Sequence, residues 1–342
     1  MLNSCVVSAS QQPSRFPGWA ACFGLACLLA LTGCAAIQVR MGSKIYLDKT
    51  PVTSMQASLP KGPGIAPGEK SPLVVALTGP DGTVLMTEGA GHGKVLWKDL
   101  TVTANVAVAN KKGIVSLPQD PRISEGKAPH VTITAPSHPG IQAELDIPIR
   151  YDYNYTANFY GNSGSKGLDG SDGIGGMSGS MGSMDPEHPS AGGDGSNGSS
   201  GSDGGRGGSG EDGPPVQVRV ALRSGNHPLL QVGVSAGGGE RLFLMDPQGG
   251  SLTVSSEGGA GGAGGKGGRG GRGGSGGIGT PNGRDGSDGS SGSDGLEGWR
   301  GSGGKITVTY DPQAKPFLSA IRLSNPGGPA PVFKEEPVAP LW

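Results

Sequence analysis

From residue 44 onward the apolar positions fall in short stretches that alternate with polar ones. Segments 44–49, 73–78, 83–87, 94–97, 100–108, 113–117, 130–134 and 141–150 read as strands. Two of them show the period-two pattern plainly: Val102, Ala104, Val106 and Val108 in one, Leu145, Ile147 and Ile149 in the other. Successive side chains on a strand face opposite sides, so the alternation predicts one buried and one wet face. Between two of these strands, Gly79-Pro80-Asp81-Gly82 is a tight-turn sequence, because proline fixes one φ and glycine admits a positive one. Many short strands with almost no helical period predict an antiparallel sandwich resembling an immunoglobulin-like domain, and about 120 residues are enough to bury a core. A second strand group, 216–222, 229–234, 241–245 and 252–255, resumes at 305–310 and 321–323. The expected fold class is mainly β.

Between 161 and 304 the pattern changes. Glycine stands at every third position, eight times in frame, in each of four runs: 161–182, 192–213, 258–279 and 283–304. A period of three is neither helix nor strand; it belongs to polyproline II-type backbone. A flexible Gly/Ser linker accounts for the composition but gives no reason to hold the frame. A collagen-like triple helix accounts for the frame, yet none of the four runs contains a proline. The reading favoured is a polyglycine II bundle within one chain, with collagen as the alternative. Such helices have no internal hydrogen bonds, so neighbours must satisfy their N–H and C=O groups, and glycine lets the backbones come close enough. Turn-rich connections at 185–191 and 280–282 imply two antiparallel hairpins, each arm on the order of 65 Å long at ~3.1 Å per residue. Run three is nearly all Gly-Gly-X, which predicts the most central place. Lys266, Arg269 and Arg272 form a basic row there; Asp285, Asp288, Asp294 and Glu297 form an acidic row on run four; Asp194, Asp203 and Asp212 form another on run two. Opposed rows are expected either to fix register between neighbours or to keep a glycine surface soluble, exposed pairs contributing only ~0–1 kcal/mol each. In period and hairpin logic the region resembles the glycine-rich bundle of springtail antifreeze proteins.

The leader changes where such a molecule is expected to sit. The first 33 residues carry one charge, Arg15, and an apolar run over 16–31 that is short for a membrane span and reads as a signal peptide. It ends in Leu31-Thr32-Gly33-Cys34, which resembles the lipobox of bacterial lipoproteins. The resemblance implies cleavage before Cys34, diacylation of its thiol, and usually acylation of the new amine; several chains anchor far more firmly than one. Cys5, Cys22 and Cys27 leave with the leader, so the mature chain keeps no thiol for a disulfide or a metal. Ala35 stands where inner-membrane retention usually shows Asp, and by the same resemblance this implies the outer membrane if the cell is Gram-negative.

The expected organisation is a leader over 1–33, a β-sandwich domain over 34–156, a first glycine hairpin over 161–213, and a second hairpin over 258–304. The second hairpin is inserted in a β module made of 214–257 and 305–325, and a mobile proline-rich tail over 326–342 ends in a possible docking point at Leu341-Trp342. With 68 Gly and 28 Pro in 342 residues and a net charge of −1, the chain is unlike an ordinary enzyme and carries no excess charge for nucleic acid. His92, His130, His138, His188 and His227 are scattered without metal-ligand spacing. Segment 89–94 fails as a phosphate loop, since Glu88 and Val95 stand where Gly and Ser or Thr are needed. No catalytic, cofactor or metal site is expected; Cys34 is the one modified residue. The expected role is a non-enzymatic, lipid-anchored envelope protein, structural or adhesive. Its expected partners are the membrane, an envelope polymer, matrix or a neighbouring cell surface. The alternatives are a carbohydrate- or ice-binding module, the latter through the row Ser196, Ser199, Ser202, Gly205 and Gly208, or a collagen-like trimeric stalk.

Overall fold

The computed structural model describes residues 44–225 and 227–342. The leader and Cys34 lie outside the described residues. Strands take up 31% of the chain and helical turns 7%, so the protein is mainly β. Among the described residues no helix is long and apolar enough to cross a membrane.

Every strand ladder of the first module is antiparallel. Its strands are β1 (Ser54–Ser58), β2 (Lys70–Pro72), β3 (Val74–Thr78), β4 (Val84–Met86), β5 (Thr101–Asn105), β6 (Val108–Ala109), β7 (Ile114–Ser116), β8 (His130–Thr134) and β9 (Gln142–Asp146). They form three three-stranded sheets, β1-β3-β4, β2-β7-β6 and β5-β8-β9, around one core that includes Leu47, Leu77, Trp97, Val115, Ile133 and Ile147. The β3–β4 turn is the predicted one: Gly79 accepts from Gly82 N–H, the Asp81 carboxylate accepts from Thr83 N–H at 3.0 Å, and Gly82 has φ +79°. The 141–150 alternation holds, with Ala143 and Ile147 buried. The 100–108 alternation does not. Val106 adopts φ +57°, which breaks the strand, leaves Val108 exposed and turns Ala107 inward instead.

The second module is built on parallel pairs. Its strands are β10 (Asn154–Tyr160), β11 (Val216–Arg223), β12 (Leu229–Ala236), β13 (Gly239–Met245), β14 (Ser251–Glu257), β15 (Ile306–Tyr310), β16 (Ile321–Ser324) and β17 (Val332–Glu335). One sheet is β10-β14-β16, entirely parallel; the other is β13-β12-β11-β15-β17, in which β11, β15 and β17 are parallel. Between the sheets lie Val218, Val232, Phe243, Leu252, Val254 and Val308, joined by Ala314 and Ala320 of the 3₁₀ segment Pro312–Ala320. The strand over 154–160 therefore belongs here, and the boundary expected at 156 falls inside it.

Three strand pairs repeat in the same order: β10 with β11, β14 with β15, β16 with β17. Each of the first two pairs is connected by a glycine hairpin. In the third, residues 325–331 make the connection, with Pro326 accepting from Gly303 N–H at 2.8 Å and the Asn325 amide donating to Gly304 O at 3.0 Å. The tail is extended, as predicted, but seated rather than mobile. Its prolines flank β17 without interrupting the ladder with β15, and its end folds back onto the chain. Leu341 N–H donates to the Gln231 side chain at 3.1 Å, and Trp342 Nε1 donates to Glu125 at 2.6 Å. Glu125 also pairs with Arg223. One carboxylate of the first module thus holds both the tail and a strand of the second.

Candidate interaction surface

Four glycine runs leave the second module side by side. Run one (161–182) continues β10 and run three (258–279) continues β14; run two (192–213) leads into β11 and run four (283–304) into β15. None of the four is helix or strand. From Gly164 onward the frame glycines of run one each donate to run three, as in Gly164 N–H to Ala260 O at 2.8 Å and Gly173 N–H to Arg269 O at 2.7 Å, while Gly161 N–H donates to Glu257 O at the end of β14. Those of run two donate to run four, from Gly195 N–H to Arg284 O through Gly213 N–H to Ser302 O, and Gly192 N–H donates to Pro281 O in the connection. Both pairs are parallel. The remaining contacts are antiparallel: Ser196 N–H to Met177 O, Gly271 N–H to Ser199 O, and Gly286 N–H to Gly274 O, at 2.9, 2.8 and 2.8 Å, with like bonds every third residue. Runs two and three each bond to all three others, and runs one and four stand at the outer corners. The central place predicted for run three is shared with run two.

Register passes unbroken from the sheets into the glycine runs. The 97 residues between Asn154 and Ser251 in the β10–β14 ladder recur between Asp169 and Lys266, and between Asp172 and Arg269. The 90 residues between Asp212 and Ser302 continue as Val216 opposite Ile306 in the β11–β15 ladder.

The close approach explains the frame. A Cβ on Gly164, Gly195 or Gly286 would come within 3.0 Å of a neighbouring carbonyl oxygen, closer than real Cβ atoms come. Run three meets run four through Gly261 and run one through Gly262, so two residues of each triplet must be glycine. Where run two faces run one the space is wider: a Cβ on Gly205 would meet Leu168 N at 3.2 Å. That row accordingly admits Ser196, Ser199 and Ser202, whose hydroxyls accept from Met177, Ile174 and Ser171 N–H at 2.7, 2.7 and 2.8 Å. The row considered for ice is engaged in holding runs one and two together.

The acidic rows work differently from the expected charge pairing. Lys266 meets Asp294 at 2.8 Å. Beyond that pair, the carboxylates mainly cap backbone. Asp194, Asp203 and Asp212 on run two accept from Arg284, Ser293 and Ser302 N–H, each at 2.7 Å; Asp285, Asp288 and Asp294 on run four accept from Gly276, Gly273 and Gly267 N–H at 2.7–2.9 Å. Asp169 and Asp172 do the same for Lys266 and Arg269. Asn197 and Asn282 cap Ser287 and Gly279, so the function requires an acceptor and not a charge. The Lys166 ammonium, then the Lys266 N–H, hold Asp169 below the ordinary aspartate value; the Lys266 ammonium and the Gly267 N–H do so for Asp294. The spacing of the acids alone does not reveal this role. Its signal is that each of these acids or amides directly precedes a frame glycine.

The candidate chemistry elsewhere is dispersed. His130 bonds Asp146 at 2.7 Å, His138 bonds Thr50 O at 2.9 Å, and His188 lies 3.6 Å from Asp185. His92 and His227 are exposed. Among the described residues no group of three His, Cys, Asp or Glu side chains is placed to hold a metal ion. Gly89–Gly91 is a single 3₁₀ turn followed by His92 in the left-handed region. No protein-family model, curated protein or solved structure matches the chain.

Proposed function

We propose that residues 161–304 are a polyglycine II bundle of two hairpins, and that the protein is a lipid-anchored, non-enzymatic envelope component with a structural or adhesive role. The observation that carries this reading is the intrachain ladder. Frame-glycine N–H groups of runs one, two and four donate to acceptors of the same chain, nearly all in another run, which leaves them unavailable to a triple helix between chains. A bonded rod with flat, serine- and charge-bearing faces suits contact with an extended surface better than enclosure of a small ligand. The first module, antiparallel around its own core, serves as an immunoglobulin-like spacer after the leader. The anchor at Cys34 and the outer-membrane address rest on the lipobox-like sequence. The test is the mass and circular dichroism of residues 35–342 through thermal unfolding. A polyproline II-type spectrum that melts cooperatively without any change of mass supports the intrachain bundle; a trimer that loses the spectrum as it dissociates restores collagen. Metabolic labelling with palmitate, abolished by Cys34→Ser, tests the anchor.

A further inference from the structure

The distal part of run one differs from the rest of the rod. From 173 to 184 it has no charged residue, and it carries Ile174, Met177, Met181 and Met184, exposed at 80%, 82%, 71% and 66%. Run three adds Ile278, 50% exposed and level with Met181 and Met184, since Gly182 N–H donates to Ile278 O at 2.8 Å. Intervening positions are small and uncharged: Gly175, Ser178 and Ser180. Backbone bonding does not require these side chains, because equivalent positions of the same run carry serine. Ile174 and Met177 occupy one outward row of the run and Met181 and Met184 the adjoining one; together the five expose on the order of 700 Å², against the ~800 Å² that each partner gives to a stable interface.

We propose that this edge is a self-association surface, on which the same edge of a second copy packs about a two-fold axis. The area matches what a dimer needs. Run one itself brings no charge to the axis from 173 to 184, Arg272 of run three beside Gly176 being the nearest cation, and the net charge of −1 gives little long-range repulsion between copies. Methionine supplies flexible apolar contact that adapts to an identical partner. The outer-corner position of run one leaves the edge free of the other runs. The proposal rests on the reading of 161–304 as one bonded rod.

Sedimentation equilibrium of residues 35–342 across the micromolar range tests it, beside the variant Met177→Ser/Met181→Ser/Met184→Ser, with thermal circular dichroism on both. The expected result is a dimer whose dissociation constant rises at least ~10-fold in the variant, with an unchanged melt. A wild-type chain that stays monomeric, or a dimer indifferent to the three serines, overturns it. So does a monomer that binds phosphatidylcholine–phosphatidylglycerol vesicles only when the methionines are present, which would assign the edge to lipid. A chain without a cooperative polyproline II-type melt overturns the rod reading itself, and this proposal with it, whatever its mass.

Discussion

A β-carbon on Gly271 would press against the carbonyl oxygen of Ile174, which already accepts the N–H of Ser199. Replacing glycine by alanine normally stabilises by ~0.4–1 kcal/mol through the unfolded chain, whereas overpacking a rigid contact costs ~1–3 kcal/mol. Since the obstacle is backbone, the second effect prevails. Gly271→Ala is expected to lower the melting temperature of the rod, while Ala263→Ser on the outward row of the same run stays within about 0.5 kcal/mol of wild type. The caps separate charge from hydrogen bonding. Asp203→Ala leaves Ser293 N–H without its acceptor and is expected to cost roughly 0.5–1 kcal/mol. Asp203→Asn keeps the acceptor, as Asn197 does in the same row, and melts close to wild type. For Asp169 and Asp294 the folded state lowers the pKa below the ordinary 3.8. Their contribution is complete above that value and is lost as pH falls through the lower folded values. A melt series in acid is expected to show the midpoint falling below about pH 4, more steeply in wild type than in Asp169→Asn/Asp294→Asn.

At the level of elements, the β10–β14 and β11–β15 ladders fix the base of the rod and pass their offsets into it. Deleting the triplet 170–172 preserves the frame, so the bonds below the cut persist and the loop at 183–191 absorbs the mismatch. Deleting Ser171 alone puts side chains where Gly173 and its successors meet run three. The single deletion is therefore expected to abolish the polyproline II-type signal that the triple deletion only reduces. How much of this was legible in the sequence follows from the same geometry. The frame, the two hairpins and the double-glycine run were readable because a clash excludes every side chain but hydrogen. Run two's equal centrality was hidden because its wider contact with run one tolerates serine. The caps were read as charge rows because Asp at period three looks like a solvated face until its oxygens are placed against specific N–H groups. In the β modules, turn chemistry fixed the β3–β4 hairpin, whereas the left-handed Val106 reversed a face that alternation had assigned. The parallel pairing of β10 with β14 spans most of a hundred residues and leaves no local trace.

Across the whole molecule, each strand pair of the second module supports either a hairpin of the rod or, at 325–331, the turn that covers its base. The tail completes the arrangement by linking Gln231 of one module to Glu125 of the other. The caps have a chemical consequence as well. Each capping residue forms an Asp-Gly or Asn-Gly dipeptide, the pairs most prone to spontaneous ageing: the glycine nitrogen attacks the side-chain carbonyl carbon, water or ammonia leaves, and the succinimide reopens largely to isoaspartate. Between the runs both reactants are engaged in hydrogen bonds. Asp194 points to Arg284 N–H while the nitrogen of Gly195 donates to Arg284 O, and Asp288 points to Gly273 N–H while Gly289 donates to Gly271 O. Peptides released from the long-stored folded chain are expected to contain little isoaspartate at these sites, while chain stored above its melting point accumulates it at the same ones, as mass spectrometry would record. The hydrogen bonds that give these runs their shape thus also set how long their covalent backbone lasts.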